Sequence, residues 1–276
     1  MGEVAGGPGS GGPDPGEPRR TGRIVLLAGP GDPTNIVYGY LARRFPDVVV
    51  VMEQPVPRVT LARRRARRLG WPRVLGQIAF VTVALPVLRR MARRRTQEIL
   101  SEAHLDVAPL ADVRRVTSVN DQDAVALLRD LAPTVVVVNG TRIITDTVLT
   151  SVGCPFINIH AGITPRYRGV HGGYWALAEG RRDLAGTTVH RVDAGIDTGG
   201  VLARASFTPT RADSIATYPY RHLADGLPLL AEQVDRVLAG EPLTDLPGPA
   251  DPDESRLRWH PTLGGYLWTR LRRGVR

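Results

Sequence analysis

RIVLLAGPGDPTNIVYGYLARRFPDVVVVM, Arg23–Met52, is the stretch whose reading decides the fold. Arg23–Gly29 is a short apolar run closed by glycine and proline, the pattern of a buried strand. Thr34–Phe45 follows with helical spacing of its apolar residues, and Thr34 is a candidate N-cap. Val48–Met52 is a second run apolar throughout. Strand, helix and strand in close succession make a β-α-β unit.

The pattern continues outward from there. Asp123–Ala132 reads as a helix, Thr134–Gly140 as a third buried strand and Cys154–His160 as a fourth. Gly186–Asp193 and Gly199–Phe207 read as two later strands, and Ala212–Gly240 as a helical region. Strands without polar alternation, separated by helices, imply a sheet covered on both faces. The expected class is α/β: a Rossmann-like, mostly parallel sheet with helices on both faces, plus a basic helical insertion and a C-terminal tail. The insertion is residues 57–103, where the regular pattern breaks before resuming near Leu105–Leu110. Residues 1–22 are Gly/Pro-rich, lack the apolar core of a signal peptide and read as a disordered arm. The main domain spans 23–240, and 241–276 reads as a linker and a basic, aromatic tail.

All 36 basic residues are Arg, so lysine Schiff-base chemistry and a P-loop lysine are excluded. The single cysteine, Cys154, excludes a disulfide framework and a cysteine-based metal site, and no metal is expected. Cytoplasmic residence is the expectation. Charge is unevenly distributed. Gln54–Gln97 holds twelve Arg and no carboxylate, against a chain total of +9. Ser255–Arg276 adds six Arg, again without an acid. The body is therefore acidic, and two segments are strongly basic and suited to anionic partners.

Chemistry is suggested at three places. GPGDPTN, Gly29–Asn35, joins the first strand to its helix, where an anion could meet a helix N-terminus; a plain structural turn fits equally. INIHAGITPRYRGVHGG, Ile157–Gly173, ends a strand with Asn158 and His160 on one face and then enters an irregular loop. DAGIDTGG, Asp193–Gly200, sets two carboxylates between glycines. An Asn amide can hold an oxygen as negative charge builds on it, a His can move a proton, and an Asp can orient that His and raise its pKa.

The pattern N-x-H, then P-R-Y-R-G, then D-x-G-x-D-T-G resembles the folate-dependent formyltransferases. These enzymes pass a formyl group from 10-formyltetrahydrofolate to an amine, and include glycinamide ribonucleotide, methionyl-tRNA and sugar-amine N-formyltransferases. The resemblance implies that Asn158, His160 and Asp197 are catalytic. It places Thr141, Arg142, Ile143 and Ile144 along one wall of the pterin site, with Val192 and Asp193 on the other. Thr34, Asn35, Arg168 and His171 are the implied acceptor contacts. The implied mechanism is direct transfer, with Asn158 and a protonated His160 stabilising the oxyanion.

The acceptor remains open at this point. An amino sugar of a glycan or glycolipid precursor, phosphorylated or nucleotide-linked, is favoured. Gly186–Val192 resembles the glycinamide ribonucleotide enzyme, which makes purine biosynthesis the alternative. A tRNA acceptor, or nucleic acid generally, is not expected, because the tRNA enzyme carries a sizeable C-terminal domain. A catalytically inactive folate- or membrane-binding module is the remaining reading. The apolar stretch Val74–Leu88 between Arg clusters falls short of a bilayer span. Peripheral membrane contact through 57–95 and 255–276 is one expectation, and packing on the domain or on a second subunit of a homodimer is the other.

Overall fold

The computed structural model describes residues 21–247 and 255–276. The arm expected at 1–22 lies outside them except for its last two residues, as does the 248–254 portion of the linker.

In chain order the first elements are β1 (Ile24–Ala28), α1 (Asp32–Arg44) and β2 (Val48–Glu53). Four helices follow: α2 (Arg58–Leu69), α3 (Trp71–Ala79), α4 (Leu85–Met91) and α5 (Arg93–Glu102). Next come β3 (Val113–Val116), α6 (Gln122–Leu131), β4 (Val135–Asn139), α7 (Asp146–Leu149), β5 (Phe156–His160) and β6 (Tyr167–Gly169). The remainder is α8 (Gly172–Ala178), β7 (Gly186–Arg191), β8 (Val201–Ser206), α9 (Tyr218–Leu238), β9 (Arg256–Arg258) and α10 (Leu263–Arg273).

Seven strands form one sheet in the order β3-β2-β1-β4-β5-β7-β8. The first five are mutually parallel, whereas β7 pairs antiparallel with β5 and β8 antiparallel with β7. The sheet is thus mostly parallel, as expected, with an antiparallel hairpin at one edge. Successive residues of β1 point to opposite faces. Ile24, Leu26 and Ala28 join one core with α1 and α9, while Val25 and Leu27 join a second core with α6. Both faces being covered explains why β1, β2 and β4 carry no polar alternation.

The structure differs from the sequence reading in three places. Leu105–Leu110 forms neither helix nor strand; the next strand is β3, whose Arg114 and Arg115 are exposed at the sheet edge and mask the strand pattern. Thr34 is not an N-cap. Gly31 occupies that position, and Thr34 lies inside α1 with its hydroxyl donating to the Gly29 carbonyl at 2.6 Å. The helical region expected from Ala212 begins as a helix only at Tyr218, because Asp213 and Thr217 bind neighbouring backbone N–H groups in turns.

The insertion is helical, as expected. α3 and α4 are joined by a π-helical turn, Phe80–Ala84, just before Pro86, which lacks the N–H that a regular α-helix would use. Phe80, Leu85 and Leu88 pack with Tyr167, Tyr174 and Tyr266 in a third core. That core joins the insertion to α8 and to the tail. The tail is held further by β9, which pairs in parallel with β6.

Candidate active site

β1–α1–β2 runs toward one edge of the sheet, and β4 and β5 extend toward the other. The C-terminal ends of β1, β4 and β5 therefore border a crevice at the point where strand order reverses, the position at which open α/β sheets take ligands. A cavity of about 600 Å³ lies there, bordered by Gly29, Asn139, Asn158 and His160.

β5 delivers Asn158 and His160, and its neighbour β7 delivers His190 directly opposite Asn158. Asn158 Nδ2 lies 3.0 Å from His190 Nε2. His190 Nδ1 lies 2.6 Å from the Arg191 carbonyl oxygen. A carbonyl only accepts, so His190 Nδ1 carries the proton and Nε2 accepts from the Asn158 amide. That contact uses one amide hydrogen of Asn158 and leaves the other for a ligand.

His160 is held in the same manner. Its Nε2 donates to the Tyr167 carbonyl at 2.8 Å, and its Nδ1 faces Asp197 Oδ1 at 3.3 Å. Gly162 keeps this corner tight: a Cβ there would stand 2.4 Å from the Tyr167 carbonyl oxygen. Asp197 sits in the left-handed region with φ 52°, a conformation that costs energy outside glycine and points to a functional constraint. Its Oδ2 accepts from the Gly169 N–H at 2.8 Å, and its Oδ1 lies 3.7 Å from His190 Nε2.

Burial pulls the His160 pKa below the ordinary histidine range, with the Asp197 charge and the Tyr167 carbonyl opposing it. Burial thus favours the neutral ring, whereas an acceptor against each ring nitrogen favours the protonated form expected from the sequence. Burial also acts to raise the Asp197 pKa, but His190, His160 and the Gly169 N–H together outweigh it and hold the carboxyl below its usual value. Asp197 Oδ1 and His160 Nδ1, 3.3 Å apart, are two acceptors that one proton joins, so the pair holds or releases that proton as a unit.

Thr141, Arg142, Ile143 and Ile144 line the cavity, and so do Val192 and Asp193. The first wall is fixed from behind. Glu53, 5% exposed, accepts from the Arg142 N–H at 2.7 Å and from the Val119 N–H at 3.2 Å. Its Oε2 also pairs with Arg142 Nε at 2.6 Å. The Arg142 guanidinium thus faces the protein, and the segment offers its backbone and Ile143 to the cavity. The Asn120 side chain donates to the Ile143 carbonyl and accepts from the Thr145 N–H. Asp193 binds the Thr198 hydroxyl at 2.7 Å and the Gly195 N–H at 3.1 Å, so it shapes the loop that carries Asp197.

Of the four expected acceptor contacts, Thr34 and His171 border the cavity, whereas Asn35 and Arg168 do not. The Asn35 amide is turned away and donates to the Ala108 carbonyl at 2.8 Å. The Arg168 guanidinium donates to the Ile196 carbonyl at 3.0 Å and braces the Asp197 loop. The start of α1 is a poor anion site. Asp32 puts a carboxylate in its first turn, Pro33 removes an N–H, and the Thr34 and Asn35 N–H groups donate to Gly31.

His190, His222 and His260 border the cavity without having been singled out in the sequence. His260 comes from the tail and lies 2.9 Å from His171. No group of three or more His, Cys, Asp or Glu able to hold a metal occurs among the described residues.

Residues 76–232 match the formyl transferase family. The chain belongs to that family. A methionyl-tRNA formyltransferase from Pelotomaculum thermopropionicum is 32% identical over 154 residues, covering 52% of this chain and 48% of that protein. The chain thus aligns with about half the length of that relative. Among solved structures, phosphoribosylglycinamide formyltransferase from Streptococcus pneumoniae superimposes with a TM-score of 0.51 at 22% identity, covering 79% of this chain and 99% of that one. A sugar N-formyltransferase from a Shewanella species gives a TM-score of 0.51 at 15% identity, covering 83% and 74%. These two likenesses establish a formyltransferase-like fold and leave the acceptor open.

Proposed function

We propose that the protein transfers a formyl group from 10-formyltetrahydrofolate to the primary amine of an amino sugar, in the synthesis of a glycan or glycolipid precursor. The observation that supports formyl transfer is the convergence of Asn158, His160 and Asp197 at the strand ends, beside the braced wall Thr141–Ile144, and the basic insertion and tail favour the amino-sugar acceptor. In this reading the pterin lies against that wall, as in the family resemblance, and the formyl carbon faces Asn158.

The acceptor's neutral amine attacks the formyl carbon. The free N–H of Asn158 stabilises the oxygen as charge develops, a contact of the kind worth about 2.7–4 kcal/mol in barrier height. The His160–Asp197 pair takes the proton that the nitrogen loses, and Asp197 stabilises the resulting imidazolium. The bond from the formyl carbon to N10 of the folate then breaks, the His160–Asp197 pair passes the same proton on to N10, and tetrahydrofolate leaves. Fixed donors and a preset base replace reorganising solvent.

Transfer to glycinamide ribonucleotide is the second reading, supported by the likeness of Gly186–Val192 to that enzyme. Asp32 and Pro33 weigh against it, because they disfavour a phosphate at the start of α1. An acceptor screen tests the choice. Purified protein and 10-formyltetrahydrofolate are mixed with nucleotide-linked amino sugars or glycinamide ribonucleotide, and tetrahydrofolate release is followed by absorbance. Turnover with an amino sugar supports the first reading. Turnover only with glycinamide ribonucleotide, or with methionyl-tRNA, replaces it.

A further inference from the structure

Trp71–Met91 runs through α3, the π turn and α4 as 21 residues of mean hydropathy 1.4, with only 28% of its most apolar stretch buried. Val74, Gln77, Phe80, Leu85 and Leu88 are buried along it. The last three of these aromatic and aliphatic side chains pack onto Tyr167, Tyr174 and Tyr266, so the segment lies along the domain. Its opposite face is open. Trp71, Leu75, Ile78, Val83 and Val87 are exposed, and Met91 is 72% exposed. Thr82 on this face donates its hydroxyl to the Ile78 carbonyl, so its polarity is internally satisfied. α10 packs alongside, its Tyr266 ring 5.2 Å from that of Phe80, and it exposes Leu267, Trp268 and Leu271, the last at 86%. Apolar exposure concentrated on adjacent helices marks an interaction surface.

Arginines flank this face. Arg63, Arg64, Arg67, Arg68 and Arg90 are exposed, and none is in an ion pair among the described residues. No carboxylate lies between Gln54 and Gln97 to offset them. A second copy of the chain would set these like charges against one another. A nucleic acid would use the arginines and leave the Leu, Val and Met stripe without a role. An anionic bilayer uses both: headgroups meet the guanidinium groups, tryptophans sit at interfacial depth, and the aliphatic stripe enters the acyl boundary.

We propose that the face formed by Trp71–Met91 and α10, with its arginine flanks, docks the protein on an anionic lipid surface. The position of the face has a consequence for the cavity. The Phe80 ring is 6.4 Å from that of His171, and His171 and His260 border the cavity. A helix is about 10 Å across. Docking therefore holds that end of the cavity about one helix thickness from the bilayer, within reach of an amine carried on a lipid headgroup. That consequence rests on the formyl-transfer reading, whereas the lipid contact does not.

Vesicle co-sedimentation of the full chain tests the proposal, comparing equimolar phosphatidylglycerol and phosphatidylcholine with phosphatidylcholine alone. Binding to the anionic vesicles, falling with added salt and weak on the neutral ones, is expected. Trp268→Glu and Leu271→Glu should each weaken it at least about tenfold, the scale of burying one large apolar side chain. Both side chains are exposed and away from the cavity, so melting temperature and turnover of a soluble acceptor stay unchanged. Equal binding to both vesicle types, no binding, or Glu variants that bind as wild type would overturn it. So would a concentration-dependent dimer dissolved by these substitutions, or tRNA binding that they weaken in place of vesicle binding. Loss of transfer with vesicle binding intact would sink the formyl-transfer reading alone.

Discussion

Asn158 and His190 face each other across the antiparallel β5–β7 pair, and the ring of His190 holds one hydrogen of the Asn158 amide at a heavy-atom distance of 3.0 Å. That contact selects the amide's orientation and so aims its second N–H. In the proposed mechanism His190 is a positioning residue, since it acts through Asn158. His190→Ala should lower kcat by about tenfold or more while changing the KM for 10-formyltetrahydrofolate little, as expected when an oxyanion donor is loosened but not removed. His190→Gln, whose amide oxygen can accept from Asn158, should recover part of the loss. Steady-state kinetics of the two variants check this, and a rise in KM alone would contradict it.

The His160–Asp197 pair predicts a pH profile. The base must be neutral to accept a proton, so the rate falls as pH drops through the His160 pKa, which burial places below the ordinary value. Asp197 opposes that lowering. Asp197→Asn should therefore move the acidic limb to still lower pH and at the same time reduce the plateau, because the imidazolium loses its counter-charge. A limb that shifts upward, or a full plateau, would contradict the assignment.

Three further histidines near the cavity predict acid sensitivity of the fold. Burial, reinforced by neighbouring His260, Arg89 and His222, pushes His171 down to about 3. Burial likewise pushes His222 down to about 3 and His260 to about 4. Each folded pKa lies below the unfolded value of about 6.5, so the unfolded chain binds more protons throughout the interval between them. Stability is complete above about pH 6.5 and is lost as pH falls toward 4. One such group costs on the order of 2 kcal/mol at about pH 5. Melting temperature against pH should slope accordingly, and His222→Gln should flatten the slope.

Glu53 is central to the proposed pterin wall. Removing its carboxylate in Glu53→Ala leaves the Arg142 and Val119 N–H groups without their acceptor and takes the counter-charge from the Arg142 guanidinium, which keeps the Gln54 and Thr117 carbonyls. A loss of about 1–3 kcal/mol in stability is expected from orphaned buried donors. A higher KM for the folate should accompany it, with the acceptor KM little changed. Thermal unfolding and kinetics with each substrate varied in turn separate these effects.

Much of the sheet was legible because its strands are buried on both faces and so read as unbroken apolar runs. β1, β2 and β4 each fall within a residue or two of the reading. β3 was not legible, because an edge strand with two exposed arginines has no apolar face to reveal it. Asn158 and His160 could be marked from local pattern and Asp197 from the family resemblance, and the fold brings the three together. His190 could not, because its role depends on the register of β7 against β5, a pairing made across thirty residues. His260 was hidden for a similar reason: the β6–β9 pairing and the packing of Tyr266 bring the tail to the cavity. The Arg and Trp content of the insertion and tail was plain in the sequence. That the two segments meet follows from packing around Phe80 and Tyr266.

The most direct test of formyl transfer at this site is a single-turnover measurement of tetrahydrofolate formed from 10-formyltetrahydrofolate, with and without a nucleotide-linked amino sugar, in wild type and Asn158→Ala. The predicted result is release that depends on the acceptor and falls about 10²–10³-fold in the variant, with folate binding retained. Release at the same rate without an acceptor, or an Asn158→Ala variant as fast as wild type, would contradict the account.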